Sequence, residues 1–108
     1  MFVVIYRWRV KAEREEEFRK GWKIVTEGIR KRDGSLGARL HRTDNNTWLS
    51  YAQWPNRQAW EQAWQRGPVD EPLAYHLMKS SIVPSRNKEK PYLTMTLTDD
   101  CFESDTFS

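Results

Sequence analysis

Aromatic side chains that could hold a flat molecule are concentrated in the middle of the chain. Trp54 ends an alternating segment that contains Tyr51, and Trp60 and Trp64 follow at the i, i+4 spacing that shares one side of a helix. Such a group suits the wall of a pocket for a planar aromatic ligand. The alternative is that these tryptophans are ordinary core residues, because large apolar side chains are usually structural.

Two residues could handle charge beside such a ligand. The imidazole of His76 titrates near neutral pH, so it could act as a general base or orient an anion. Arg39 could stabilise an anion instead, provided that it points inward. A histidine on an otherwise apolar helix more often makes structural hydrogen bonds or faces solvent than takes part in catalysis. The sequence leaves these assignments open.

Several common catalytic patterns are absent from the sequence. It contains no GxGxxG or Walker loop and no GxSxG elbow. With two His and one Cys, one chain cannot supply four His or Cys ligands to zinc. Cys101 lies in a polar tail with nothing to position it as a nucleophile. A single cysteine also excludes an intrachain disulfide and favours a reducing compartment.

The ends of the chain bear on location and domain organisation. The first apolar run, Phe2–Ile5, is too short for a signal-peptide core or a membrane span, so we expect a soluble, cytoplasmic protein without membrane contact. Residues 99–108 contain four acidic residues and no basic one. We therefore predict one domain over residues 1–98, followed by an acidic, flexible tail over residues 99–108.

Hydrophobic periodicity divides the domain into alternating strands and helices. It predicts strands at 2–10, 36–43, 47–54 and 92–98, long helices at 13–32 and 57–66, and a shorter helix at 71–79. Residues 84–91 are polar with Pro at both ends and predict a loop. Four segments suggest caps or turns: Asp33-Gly34, Asp44-Asn45-Asn46, Asn56 and Asp70.

The order of elements predicts the fold class and the assembly. Strand, helix, strand, strand, helix, strand is the split βαβ, or ferredoxin-like, arrangement of an α+β protein. It gives a four-stranded antiparallel sheet with helices on one face and the other face open. Six Trp and four Tyr are hard to bury in one chain of 108 residues. A homodimer that pairs two sheets face to face would cover the open face.

Two segments carry a resemblance to a known family. The strand Thr47–Pro55, running into the helix that opens with Asn56–Trp60, resembles the corresponding part of antibiotic biosynthesis monooxygenase-like domains. The first strand and the segment Gly34–His41 are similar to that family too, and the resemblance covers residues 2–98. It implies a dimeric α/β barrel. It also implies an oxygenase that uses neither metal nor flavin and acts on an electron-rich, flat aromatic or polyphenolic molecule.

Three other functions remain as alternatives. A non-catalytic dimeric ligand-binding module fits the same fold, because fold does not fix function. Haem-degrading members of the family resemble each other in an Asn on the first strand, whereas this chain has Tyr6, Arg7 and Trp8 there. RNA-recognition domains share the element order and stack bases on sheet aromatics, but the third strand lacks their Lys/Arg-Gly-aromatic-Gly pattern. Haem and nucleic acid are therefore the less favoured ligands.

Overall fold

The computed structural model describes residues 1–84 and 91–102. Its strands are β1 (Phe2–Arg9), β2 (Gly37–Arg42), β3 (Thr47–Trp54) and β4 (Leu93–Thr96). Its helices are α1 (Glu15–Asp33), α2 (Arg57–Arg66) and α3 (Pro72–Ser81), with a short 3₁₀ turn at Ala12–Arg14 before α1. The predicted α+β, ferredoxin-like fold is confirmed. Most of the predicted loop 84–91 lies outside the described residues.

The four strands form one antiparallel sheet in the order β2-β3-β1-β4. β1 and β3 pair along their whole length, with Phe2 opposite Trp54 and Trp8 opposite Trp48. Because side chains alternate across a strand, the even-numbered residues of β1 share one face. That face carries Phe2, Val4, Tyr6 and Trp8 and lies under the helices.

The core beneath the helices consists of two clusters. The larger one packs α1 and α3 against the Trp48 end of the sheet and centres on Phe18, which is fully buried. The smaller one packs α2 over Phe2, Val4 and Trp54. Ile29 contacts both clusters. The helix layer therefore has two parts, and the row of residues around Tyr6 lies where they meet.

Most of the predicted caps and turns are confirmed. Gly34 ends α1 with a left-handed φ of 76°. Asn45 and Asn46 both have φ of 59°, the conformation of a type I′ hairpin turn between β2 and β3. The Asn56 Oδ1 atom accepts a hydrogen bond from the Ala59 N–H at 2.8 Å and caps α2.

The predicted cap at Asp70 is wrong. α3 begins one residue later, after Glu71, and no side chain caps it. Pro72 occupies the first turn, where its missing N–H removes one donor that a cap would otherwise satisfy. α3 also runs two residues beyond the predicted end, and the Val83 N–H donates to the Arg9 carbonyl at 2.8 Å. Residues after α3 thus occupy the stretch of the β1 edge that the short β4 leaves free.

The opposite face of the sheet carries no helix among the described residues. Arg7 and Arg9 project from β1, Arg39 and His41 from β2, and all four are exposed. The β4 edge of this face is apolar, with Leu93 48% and Met95 39% exposed. In the part of the chain that the structure describes, no helix is long and apolar enough to cross a membrane.

Candidate functional site

The sheet divides the aromatic group that the sequence singled out. Trp54 and Trp60 lie on the helix-covered side and pack in the smaller core cluster. Tyr51 alternates with Trp54 along β3 and therefore lies on the open face, where it pairs across the strands with Arg39. One pocket cannot be lined by all the predicted residues, because Tyr51 and Arg39 are separated from the tryptophans by the sheet.

On the helix-covered side, Trp60 contacts a residue that was not selected as a site residue. Its indole Nε1–H donates a hydrogen bond to the Tyr6 hydroxyl at 3.3 Å. The Trp60 ring lies 5.7 Å from the Phe2 ring and 5.9 Å from the Trp64 ring, centroid to centroid. Trp8 stacks beside Tyr6 with a centroid distance of 6.0 Å. Tyr6 thus presents a polar group within a nearly continuous set of aromatic rings.

The Tyr6 hydroxyl is neutral and retains its proton for donation. Burial raises the pKa of Tyr6 above its ordinary range, and the N–H donated by Trp60 offsets this only in part. The hydroxyl accepts from Trp60 but donates to none of the described residues. At neutral pH Tyr6 is therefore a hydrogen-bond donor and not a base.

A second hydroxyl lies next to Tyr6 on the sheet. Ser50 is directly opposite Tyr6 in the β1–β3 register and is buried, with 3% of its surface exposed. Side chains paired in this way have their Cβ atoms about 5 Å apart. We call Tyr6, Trp8, Ser50, Trp60 and Trp64 the Tyr6 site. Aromatic rings lie beside the Tyr6 hydroxyl and Ser50 adds a second, buried hydroxyl, a composition that suits a pocket for a planar molecule with oxygen substituents.

The predicted acid–base residue, His76, lies elsewhere. It is exposed on α3, whose buried residues Ala74 and Met78 belong to the other core cluster. No hydrogen bond or ring contact among the described residues connects it to Trp60 or Tyr6. A catalytic role for His76 stays a prediction, and the Tyr6 site itself contains no histidine.

Two cavities open on the surface away from the Tyr6 site. One, of about 750 Å³, lies along α1 and reaches the start of β2, with Trp22, Gly28, Ala38 and Glu71 in its wall. The other, of about 180 Å³, is a notch on the open face lined by Arg39, Tyr51 and Gln53 together with the start of β2. Neither is lined by Tyr6 or Trp60. Within the described residues, no group of three or more His, Cys, Asp or Glu is placed to hold a metal ion.

The sequence contained part of the signal for the Tyr6 site. Alternation along β1 places Tyr6 and Trp8 on the same face as Val4 and Val10, and the structure confirms this. That face lies under the helices, so Tyr6 and Trp8 cannot stack bases as the RNA-binding alternative required. The contact between Tyr6 and Trp60 joins residues 54 positions apart and depends on tertiary packing, which no local pattern reveals.

Fold and site together define a class: a ferredoxin-like α+β domain with an aromatic site between its sheet and α2. The family model described as antibiotic biosynthesis monooxygenase matches residues 1–69, which include β1 to α2 and every residue of the Tyr6 site. The chain belongs to the antibiotic biosynthesis monooxygenase family. No curated protein sequence matches it significantly.

Solved structures support the fold assignment. A protein from Caulobacter crescentus that is named for this family is 14% identical, with a TM-score of 0.68 over 91% of this chain and 90% of its own. A similarly named protein from Nitrosomonas europaea is 14% identical, with a TM-score of 0.60 over 79% and 90%. The monooxygenase from the gene ActVA-Orf6 of Streptomyces coelicolor, solved with the ligand nanaomycin D, is 23% identical, with a TM-score of 0.59 over 95% and 92%.

Proposed function

We propose that the protein is a monooxygenase that oxidises a flat aromatic or polyphenolic molecule at the Tyr6 site without a metal or flavin. Family membership supports the reaction class. The Streptomyces coelicolor monooxygenase, which was solved with nanaomycin D, supports an aromatic ligand. The observation that carries the proposal is the hydroxyl of half-buried Tyr6, which accepts from Trp60, donates to none of the described residues and lies among aromatic rings.

In this proposal the substrate supplies the electrons. A deprotonated polyphenol reduces dioxygen directly, one oxygen atom replaces two substrate hydrogens as a carbonyl, and the other oxygen atom leaves as water. The protein needs only to hold the ring, exclude water and stabilise the anion. Trp8, Trp60 and Trp64 would hold the ring, and the Tyr6 hydroxyl would donate to the phenolate oxygen with Ser50 beside it.

Oxygen uptake with a panel of polyphenols tests this assignment. We expect Tyr6→Phe to lower the turnover rate about 100-fold, the usual effect of removing one donor to a developing oxyanion. Tyr75→Phe is the matched control, because Tyr75 is also a half-buried tyrosine of the helix side but bonds the Val69 N–H outside the site. Equal uptake by wild type and Tyr6→Phe would refute the role of Tyr6. His76→Ala in the same assay tests the predicted base.

One observation favours the alternative, a non-catalytic dimeric ligand-binding module. The Tyr6 site holds no side chain that titrates near neutral pH, since burial raises the pKa of Tyr6 and His76 lies outside. A module of this kind would bind nanaomycin D or a related quinone, measured by quenching of tryptophan fluorescence, without consuming oxygen. Binding together with oxygen uptake would exclude it.

We propose further that the protein is a homodimer paired through its sheet faces. Leu93 and Met95 on β4 lie next to Ile5 and Val3 on β1 and form an apolar edge of the open face. Exposed apolar patches of this kind are typical of interfaces.

A cytoplasmic location remains a prediction from the single cysteine, Cys101, which is exposed and free.

A further inference from the structure

α2 forms the roof of the Tyr6 site but is weakly anchored by burial. It contributes Trp60 and Trp64 to the site, yet none of its ten residues is fully buried, and Trp64 is 49% exposed. α1, in contrast, buries Phe18, Gly21, Trp22 and Val25. Besides the packing of Ala59, Trp60 and Ala63 on the smaller core cluster, α2 is held over the sheet by contacts at its two ends.

The amino-terminal end of α2 is a covalent pivot. Trp54, the last residue of β3, is buried with 5% exposure, and only Pro55 and Asn56 separate it from the helix. Asn56 caps the helix through its own side chain, so its bond to Ala59 moves with α2. The pair Arg57–Glu61, at 2.9 Å, is likewise internal to the helix. These two bonds move with α2, and the contact of this end with the sheet is the Arg57 guanidinium, 5.7 Å from the centroid of the Phe2 ring.

The carboxyl-terminal end is tied to α1 by one buried carboxylate. The Asp33 side chain is 2% exposed and accepts from Arg32 Nε at 2.9 Å, Arg32 Nη2 at 2.8 Å and Arg66 Nη1 at 3.0 Å. Arg32 also donates to the carbonyls of Gly67 at 2.7 Å and Pro68 at 3.1 Å, just beyond α2. Burial alone would raise the pKa of Asp33, but the two guanidinium groups hold it below its usual range. The carboxylate is therefore charged at neutral pH.

We propose that Asp33 is a positioning residue that holds α2 closed over the Tyr6 site, and that an aromatic ligand enters when the Asp33–Arg32–Arg66 latch opens. The part concerning the ligand rests on the proposed function. For a ligand to reach the Tyr6 hydroxyl, Trp60 must move aside, because it covers Tyr6 and neither of the two cavities described above is lined by these residues. Rotation about residues 55 and 56 would lift Trp60 and Trp64 together and uncover Phe2 and Val4 of the smaller cluster, while the cluster around Phe18 stays packed on the sheet.

Hydrogen–deuterium exchange of the protein without ligand tests the latch by itself. We expect Asp33→Asn to accelerate amide exchange in α2 roughly threefold to tenfold, with the amides of β1, β3 and α1 before its last turn unchanged. Glu61→Gln is the matched control, since it also breaks one carboxylate–arginine pair of α2 but none that joins α2 to α1. Unchanged α2 exchange in Asp33→Asn, or equal acceleration in Glu61→Gln, would overturn the proposal.

A second variant keeps the test valid if Asp33→Asn fails to fold. Arg66→Gln removes the bonds that Arg66 donates to Asp33 and to the Arg32 carbonyl, while Arg32 stays paired with Asp33, and the Arg66 side chain is 57% exposed. It should accelerate α2 exchange in the same direction by a smaller factor. An α2 exchange rate equal to that of wild type in Arg66→Gln would also refute the latch.

Stopped-flow fluorescence with nanaomycin D connects the latch to ligand entry. If latch opening limits entry, Asp33→Asn should raise the association and dissociation rate constants together, roughly threefold or more, and change the Kd less. Unchanged rate constants alongside accelerated exchange would refute the entry route. Absence of binding in wild type would refute the proposed function, while the exchange experiment would still decide the latch.

Discussion

At the residue scale, Tyr6 illustrates what a strand pattern can and cannot tell. Alternation in β1 fixed the face on which Tyr6 lies, and the run of apolar neighbours indicated that this face is covered. It could not indicate that the covering residue is Trp60, whose N–H meets the hydroxyl. Tyr51 was grouped with Trp54 because the two are close in the sequence. Side chains alternate along β3, so residues three positions apart lie on opposite faces of the sheet.

Tyr6 should ionise later than an ordinary tyrosine when pH is raised. Burial raises the pKa of Tyr6 in the folded state above its pKa of about 10 in the unfolded chain. The contribution of Tyr6 to the free energy of unfolding is therefore intact below about pH 10 and is lost as the pH rises through the folded-state pKa. A difference titration at the phenolate absorbance, wild type minus Tyr6→Phe, isolates this group. A midpoint near 10 would contradict the burial of the hydroxyl.

At the scale of elements, α1 and α3 approach closely because α1 carries glycine at the crossing. A Cβ atom on Gly21 would lie 2.6 Å from the Ala74 carbonyl oxygen, whereas one on Gly28 would lie 3.2 Å from a methyl group of Val69. The Ala74 carbonyl is part of the α3 backbone and cannot move aside as the Val69 methyl group can. The sequence did not distinguish Gly21, because a glycine inside a helical pattern does not show which other element packs closely against the helix at that position.

We expect Gly21→Ala to destabilise the protein by about 1–3 kcal/mol, the usual cost of overpacking, even though alanine is the better helix former. Gly28→Ala should be within about 1 kcal/mol of wild type, since its gain in helix propensity offsets a milder contact. Urea denaturation followed by circular dichroism measures both. A Gly21→Ala protein as stable as Gly28→Ala would show that the two helices can separate at this crossing.

The element boundaries show where sequence reasoning succeeded. Helix α2 begins and ends as predicted because Asn56 and Gly67 both act locally. β4 is shorter than predicted, spanning Leu93–Thr96 instead of 92–98, because strand pairing with β1 covers only Phe2–Ile5. Caps are determined by neighbouring residues, whereas strand ends depend on a partner that is distant in the sequence.

At the scale of the whole molecule, the open face is the surface through which the proposed homodimer would form. Sedimentation equilibrium at micromolar concentration should give twice the monomer mass of 12.9 kDa. Met95→Lys should shift the protein toward monomer, because it introduces a charge on the apolar β4 edge. Leu73→Lys on α3 is the control, as Leu73 is 80% exposed on the helix side. A wild-type mass of 12.9 kDa would sink the dimer.

The acidic tail should contribute little to stability. Phe102, the only aromatic residue of the tail within the described part of the chain, is 85% exposed. We expect truncation at Asp99 to change Tm by no more than a few degrees, measured by differential scanning calorimetry. A drop of many degrees would mean that the tail docks on the body, and Phe107→Ala and Phe102→Ala would then identify the anchor.

The division of the core into two clusters has a consequence for how such a protein can diversify. The cluster around Phe18 holds α1 and α3 to the sheet, while the cluster around Phe2 and Trp54 faces α2 and the Tyr6 site. Replacements in the second cluster would change the proposed ligand site with little effect on the first, because among the described residues the two clusters meet through partly buried residues such as Ile29. Related proteins with this arrangement can therefore change ligand specificity through substitutions in α2 and in the sheet residues beneath it. The cluster around Phe18 would keep the domain folded.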